Sequence, residues 1–191
     1  MTLSALGIFS AAGAGGGVSL SDYELITTAT ISGSSSEIVL SSLDTYSSTY
    51  KHLQVRFTLR SSRSATDDAA VVRFTGGGGS HVSHRLVGNG STVTSAADTS
   101  GTHMYIGQIP AANFTASAFH GGVIDILDAY STTKNKTIRV LAGRPGTNNE
   151  IALHSGFYFG STAAVSAIYI GNANGGNFTS TSRISIYGTK G

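Results

Sequence analysis

Residues 51–60 read KHLQVRFTLR, and this stretch decides the class of the fold. Every second residue is apolar, and the residues between them are polar or charged; the apolar set is Leu53, Val55, Phe57 and Leu59. A period of two places all four side chains on one face of an extended strand and leaves the other face to water. The stretch therefore predicts a β-strand with one buried face.

Weaker forms of this pattern recur along the chain, and each is bounded by the residues that favour turns. They cover residues 23–31, 37–41, 70–75, 81–87, 102–108, 121–127, 136–143, 150–159, 165–171 and 183–188. Turns or loops are predicted at 88–91 and 98–101, and short helical turns at 44–49 and 111–118. No stretch keeps a helical period. The chain is therefore predicted to be all-β, with its strands in a single antiparallel β-sandwich.

The first 21 residues have a different character. Apolar residues come first, at Leu3, Leu6, Ile8 and Phe9, and a glycine-rich stretch follows at 13–17. We interpret this as an anchoring arm on a hinge, because apolar side chains in so polar a chain are expected to pack against a surface. A disordered terminus is the alternative. The predicted division is an arm at 1–21 and a sandwich domain at 22–191.

The composition limits the partners of the chain. Twelve basic residues stand against ten acidic ones, a net charge of +2, and the basic residues are scattered. A nucleic acid is therefore not an expected partner. The apolar run near the N-terminus lacks a basic flank and is too short to span a bilayer, so neither a signal peptide nor membrane insertion is expected. With no cysteine, the core or an oligomer must supply the stability.

Histidine is the residue type that could bind a metal here, and His81-x-x-His84 is its closest pair. On a strand, a spacing of three puts the two side chains on opposite faces. A shared metal would need a bulge and a third ligand such as His103 or Asp125. We expect no metal site, and we interpret the histidines as polar residues that face outward.

Catalytic arrangements are equally sparse. A glycosidase would need two carboxylates across a cleft, for which Asp125 and Asp128 are the candidates, but one alternates outward on a strand and the other begins a turn. The pair Asp67-Asp68 is interpreted as a turn, with calcium binding as the alternative. We expect no catalytic residues, no cofactor and no enzymatic activity.

Two further sequence patterns do not match the functional motifs that they resemble. The glycine tract at 76–79 lacks the lysine of a phosphate loop and is interpreted as a hairpin turn or loop tip. Ser155 adjoins His154 without the motif of a nucleophile. Among the tyrosines, those at positions 46, 50, 130 and 158 are expected to be more exposed than Tyr23, Tyr169 and Tyr187.

Several stretches together resemble a family of small tailed-bacteriophage virion proteins, over nearly the whole chain. They are SALGIFSAAGAG (4–15), YELITTATI (23–31), TYKHLQVRFTLRSSRS (49–64), HRLVGNG (84–90), YIGQIPAAN (105–113), GGVIDILDAYSTTKNKTIRVLAG (121–143), IALHSGFY (151–158), AAVSAIYI (163–170) and ISIYGTKG (184–191). The order of the pieces and the ending carry the resemblance. The family usually has F-N-G-D and an aromatic-rich run where this chain has FTGGGGSHVSHRL (74–86), so ligand contacts made there by relatives do not carry over.

The resemblance implies a virion structural protein with a jelly-roll-like sandwich, often in trimers. We therefore expect a tail fibre or tail-associated appendage subunit in the virion, anchored to other virion proteins by its arm, with a host surface glycan as a candidate ligand. The alternative is a capsid decoration or cement protein that stabilises the head. A glycan-degrading enzyme is a more distant alternative and would depend on Asp125 or Asp128.

Overall fold

The computed structural model describes residues 22–74, 80–145, 150–159 and 161–191. The strands are β1 Tyr23–Thr30, β2 Glu37–Leu40, β3 His52–Leu59, β4 Asp67–Phe74, β5 Ser80–Gly88, β6 Val93–Gly101, β7 Met104–Pro110, β8 His120–Leu127, β9 Lys136–Arg144, β10 Glu150–Phe159, β11 Ile168–Asn172 and β12 Arg183–Thr189. A short 3₁₀ helix, Leu43–Tyr46, lies between β2 and β3. Within the described ranges, no helix has the length and apolar character needed to cross a membrane.

The strands form two antiparallel sheets. The large sheet has the order β1-β12-β3-β8-β9-β10-β5-β6, and the small sheet has the order β2-β11-β4-β7. Each predicted strand overlaps an observed one, so the prediction of an all-β protein with its strands in antiparallel sheets is confirmed. The two sheets share one core, which is consistent with a sandwich.

The inward face of β3 contributes four side chains to that core. Leu53, Val55, Phe57 and Leu59 are at most 4% exposed, as the alternating pattern predicts. They belong to one continuous apolar cluster that includes Val72, Ile106 and Ile170 from the small sheet. Burying such side chains removes apolar surface from water and is the main term that holds the two sheets together.

Strand β6 is absent from the sequence prediction, which placed a turn at 88–91 and a loop at 98–101. It runs along one edge of the large sheet, and among the described strands it pairs only with β5. Residues 93–97 are all exposed. Neither face of this segment is buried, so there is no alternation of apolar and polar residues to reveal the strand.

The glycine tract at 76–79, interpreted from the sequence as a hairpin turn or loop tip, lies outside the described residues. β4 ends at Phe74 in the small sheet, and β5 begins at Ser80 in the large sheet. The two strands are not hydrogen-bonded neighbours.

Two side chains, Arg60 and Lys136, donate hydrogen bonds to backbone carbonyls in the irregular segments that connect the strands. The Arg60 guanidinium donates to the carbonyls of residues 111, 114, 115 and 118, at 2.8 to 3.2 Å. These carbonyls lie in residues 111–118, for which the sequence predicts a short helical turn. Lys136 is fully buried, and its Nζ donates to the carbonyls of Ser131, Lys134 and Thr162 at 2.5, 2.9 and 3.3 Å.

Candidate interaction surface

The outer face of the large sheet carries most of the exposed apolar surface. Seven large hydrophobic side chains are exposed among the described residues, and five of them lie on adjoining strands at one end of this sheet. We call these five the leucine face: Leu86, Val93, Leu141, Ile151 and Leu153, which are 50%, 73%, 56%, 63% and 52% exposed. A contiguous apolar patch on a soluble domain marks a site of interaction more often than scattered single residues do.

Strand register places these side chains in two rows. Leu153 on β10 lies directly opposite Leu86 on β5 and Leu141 on β9. In the next row, Ile151 lies between Gly88 and Gly143, so no side chain flanks it on either neighbouring strand. Directly paired residues on one face of a sheet have their Cβ atoms about 5 Å apart. The three leucines therefore form a continuous ridge, and Ile151 stands beside it with open space on both sides.

On part of β10, small residues occupy inward positions and large aliphatic residues occupy outward positions. Its inward positions hold Ala152, His154, Gly156 and Tyr158, and its outward positions hold Ile151 and Leu153. The interior is tightly packed at Gly156, where an added Cβ would lie 2.7 Å from Met104 Sδ. The interior has no room for larger groups at that point.

Two shallow hollows lie on either side of Leu153. One, of about 540 Å³, is lined by residues of β5, β6 and β10, among them Leu86 and Ala96. The other, of about 480 Å³, is lined by residues of β8, β9 and β10, among them Val123 and Leu141. Both share Leu153 and Ser155. The surface can therefore accept apolar side chains of a partner on both sides of one ridge.

The opposite end of the same sheet face is polar and aromatic. Tyr23 and Tyr187 stack with ring centroids 4.7 Å apart, and the Arg56 guanidinium lies over both rings. Gln54 accepts a hydrogen bond from the Tyr23 hydroxyl at 2.6 Å and donates to Asp125 at 2.8 Å. These side chains satisfy one another, so the face changes from a hydrogen-bonded cluster to an uncovered apolar patch along the sheet.

A polar groove lies elsewhere, between the β5–β6 edge and the small sheet. It has a volume of about 690 Å³, and its lining includes Arg85, Asp98, His103, Tyr105 and Gln108. The Arg85 guanidinium donates to Asp98 at 3.0 Å and lies 4.5 Å from the centroid of the Tyr105 ring. Fixed side chains that present several donors and acceptors suit a ligand rich in hydroxyl groups.

The groove continues into a second hollow of about 380 Å³, which shares Thr102 and His103 with it. Here the Arg73 guanidinium lies 3.9 Å from the centroid of the Tyr169 ring and donates to both carboxylate oxygens of Glu37 at 3.0 Å. Together the two hollows offer an extended polar path across the outside of the small sheet.

The structure corrects the interpretation of three histidines. His81, His120 and His154 are at most 3% exposed and point inward. Burial lowers the pKa of each to about 4, so all three are neutral at pH 7. Each ring packs against an aromatic side chain: His81 on Tyr158, His120 on Phe57 and His154 on Tyr105.

The predicted metal candidates do not come together. His81 is buried and His84 is exposed, on opposite faces of β5 as their spacing predicts. His84 and Asp125 occupy one row of the sheet, but Ser155 and Arg139 lie between them. Within the part of the chain that the structure describes, no three His, Asp or Glu side chains form a metal-binding group.

The carboxylate candidates belong to separate hydrogen-bond groups. Asp125 faces outward and accepts from Gln54, whereas Asp128, in the turn after β8, accepts from Lys134 at 2.7 Å. Lys134 and His52 hold the pKa of Asp128 below its usual value. The Asp67-Asp68 pair begins β4 and is not a loop turn; Asp67 pairs with Arg144, and buried Asp68 accepts from Ser61 at 2.7 Å.

Two tyrosine expectations are wrong. Tyr158 is 1% exposed and Tyr50 is 8% exposed, although both were expected at the surface. In the core, the Tyr158 ring contacts the rings of Phe74 and His81. The hydroxyl of Tyr50 donates to Glu24 at 2.5 Å, which raises the pKa of Tyr50 to about 12. A buried tyrosine needs such a partner for its hydroxyl.

The predicted arm residues Leu3, Leu6, Ile8 and Phe9 lie outside the described residues.

The sequence analysis did not predict the leucine face, although the sequence holds a signal for it. Residues 151–153 read Ile-Ala-Leu, so the residues on both faces of this part of the strand are apolar. Comparisons with known proteins add no identification. No family model, no curated protein and no solved structure matches the chain.

Proposed function

We propose that the chain is a structural subunit of a bacteriophage virion, and specifically a tail fibre or tail-associated appendage subunit. In this proposal the N-terminal arm anchors the subunit to other virion proteins, and the sandwich faces the host surface. The sequence resemblance over nearly the whole chain suggests the proposal, and the pairing of the strands is the structural observation that carries it.

The strand pairs are nested. β1 pairs with β12, β2 with β11, β3 with β8 and β4 with β7, and successive pairs alternate between the large and the small sheet. A long antiparallel ribbon wrapped around a core would give this order, with β5–β6 and β9–β10 as added hairpins. We infer from this order a jelly-roll arrangement, an architecture used by viral capsid and lectin domains. It supports the proposal at the level of the fold, which is shared by proteins of many functions.

The polar groove favours the appendage over a capsid decoration protein. An appendage must bind something outside the particle, and the groove beside Tyr105 offers fixed charged, amide and aromatic groups to a hydroxyl-rich ligand such as a host surface glycan. Binding through several equivalent grooves would be strengthened if the subunit is a homotrimer, as we propose, because linked weak sites act together when geometry allows.

The experiment that tests the proposal is to locate the protein on intact phage particles with a labelled antibody and electron microscopy. Label on the tail is the expected result. Label spread over the head would support the capsid decoration alternative, and the matching measurement is then whether particles without the protein lose heat resistance. Particles that carry no label would overturn both.

Removal of Met1–Gly17 tests the role of the arm separately. The shortened protein should fold but fail to join the particle, because the remaining chain keeps every described strand. Thermal unfolding of the purified variant checks the fold, and antibody staining of particles checks incorporation. Normal incorporation of the shortened protein would exclude the arm as the anchor.

A further inference from the structure

We propose that, in the free subunit, the apolar segment Leu3–Phe9 of the arm packs on the leucine face of its own chain. The proposal concerns the subunit before it joins any assembly, so it does not depend on which virion protein the arm later meets. Three features of the molecule carry it: the chemistry of the two surfaces, the shape of the leucine face and the length of the connecting chain.

The two surfaces match in chemistry. Residues 1–21 contain no Asp, Glu, Lys, Arg or His, and the segment Leu3–Phe9 holds four large apolar side chains. The leucine face consists of five aliphatic side chains that are at least half exposed, with Gly88 and Gly143 on either side of Ile151. Each surface alone would expose apolar groups to water and favour aggregation. Contact between them removes both surfaces from water without placing a charge in the contact.

The shape of the leucine face suits an extended apolar segment. The hollows on either side of Leu153 are centred near β5 and β9, which are two strand spacings or about 10 Å apart. A seven-residue segment such as Leu3–Phe9 covers roughly 23 Å when extended. It is therefore long enough to place an apolar side chain in each hollow and to cross the leucine ridge between them.

The connection is long enough for the segment to reach its own sheet. The described chain begins at Asp22, next to β1, and β10 lies five strand spacings away, about 24 Å. The 13-residue span from Phe9 to Asp22 can extend up to roughly 43 Å. A tether of this length gives an effective concentration in the millimolar range, well above that of a second copy in dilute solution. The arm of the same chain is therefore the favoured occupant.

The absence of cysteine allows a direct test by disulfide formation. In the double variant Leu6→Cys/Leu153→Cys, mild oxidation should close an intramolecular disulfide. The matched control is Leu6→Cys/Val39→Cys, because Val39 is also about half exposed, at 47%, but lies on the small sheet. We expect closure with position 153 to be at least tenfold faster, measured by thiol labelling and mass spectrometry of the monomer.

Each other outcome overturns the proposal. Equal closure rates for positions 153 and 39 would mean that the segment does not prefer the leucine face. Rapid cross-linking between separate Leu6→Cys and Leu153→Cys chains, with no closure within one chain, would assign the arm to a second copy. Rapid dimerisation of Leu153→Cys alone would mean that two leucine faces cover each other.

A second measurement requires no cysteine. Removal of Met1–Gly17 should uncover the leucine face, so binding of the dye ANS should increase severalfold while the thermal transition remains cooperative. Adding Leu153→Ser to the shortened chain should remove much of that increase, and Val39→Ser should not. Unchanged dye binding in a folded shortened chain would contradict the proposal, whatever the arm does on the particle.

Discussion

The imidazole of His81 stacks on the phenol ring of Tyr158 with the ring centroids 4.5 Å apart, and both side chains are buried. This places an ionisable group in the core, where a positive charge would lose its hydration. His120 and His154 are in similar positions, and burial lowers the pKa of all three from 6.5 to about 4.

We predict from this a loss of stability in acid. Between pH 6.5 and about 4 the unfolded chain binds protons at these positions and the folded chain does not, so the free energy of unfolding falls as the pH is lowered through this window. Full protonation would cost roughly 3 kcal/mol per histidine. Urea unfolding at pH 7.5, 6, 5 and 4 measures how steeply the free energy of unfolding depends on pH.

Replacing His81 tests whether this histidine causes the pH dependence of the free energy of unfolding. His81→Phe keeps a flat ring against Phe74 and Tyr158 but removes the ionisable group, so its stability should depend less on pH than that of the parent protein. His84→Phe, on the exposed face of the same strand, should leave the slope unchanged. An equal slope in all three proteins would mean that His81 does not contribute.

A second prediction concerns Lys136, whose ammonium group is buried among three carbonyl oxygens. Burial lowers the pKa of Lys136. Lys136→Met keeps most of the side-chain volume but leaves those carbonyls without their donor, and we expect a loss of about 2–3 kcal/mol. Lys134→Met is the matched control: this lysine is 62% exposed and pairs with Asp128, so its loss should cost at most about 1 kcal/mol. Similar losses in the two variants, measured by urea unfolding, would argue against this role for Lys136.

A third prediction concerns packing between β3 and β8. Phe57 is 4% exposed, and its ring fills the space beside Gly122, where an added Cβ would lie 2.5 Å from Phe57 Cζ. Phe57→Ala should destabilise the protein by about 3–5 kcal/mol. Thr58→Ala, an exposed neighbour, should change stability by less than about 0.5 kcal/mol. A small effect of Phe57→Ala on the unfolding midpoint would contradict the assignment of the inward face.

The strand prediction succeeded where one face of a strand is buried, as in β3, because burial selects every second residue. It failed for β6, where residues 93–97 are exposed on both faces. The leucine face was missed for a related reason. In β10 Met104 on β7 leaves no room for a Cβ at the inward position Gly156, and a size restriction from a distant strand cannot be read from local sequence.

The residues of the polar groove could not be predicted from local sequence, whereas those of the arm could. Arg85, Asp98 and Tyr105 are close together because β5, β6 and β7 meet where the two sheets approach each other. Their separation in sequence gives no sign of that contact. The arm residues, by contrast, are recognisable from composition alone, because an apolar run before a glycine-rich stretch needs no tertiary context.

The last prediction tests the polar groove as a host-binding site. Gln108 is exposed in the groove, and His103 lies where the two hollows join. The double variant Gln108→Ala/His103→Ala should reduce adsorption of phage to host cells at least tenfold, with no change in thermal midpoint, because neither side chain is in the core. Arg139→Ala, an exposed change on the other sheet, is the control and should leave adsorption unchanged. Normal adsorption by particles that carry the double variant would exclude this groove as the receptor site, while leaving the location of the protein on the tail to the labelling experiment.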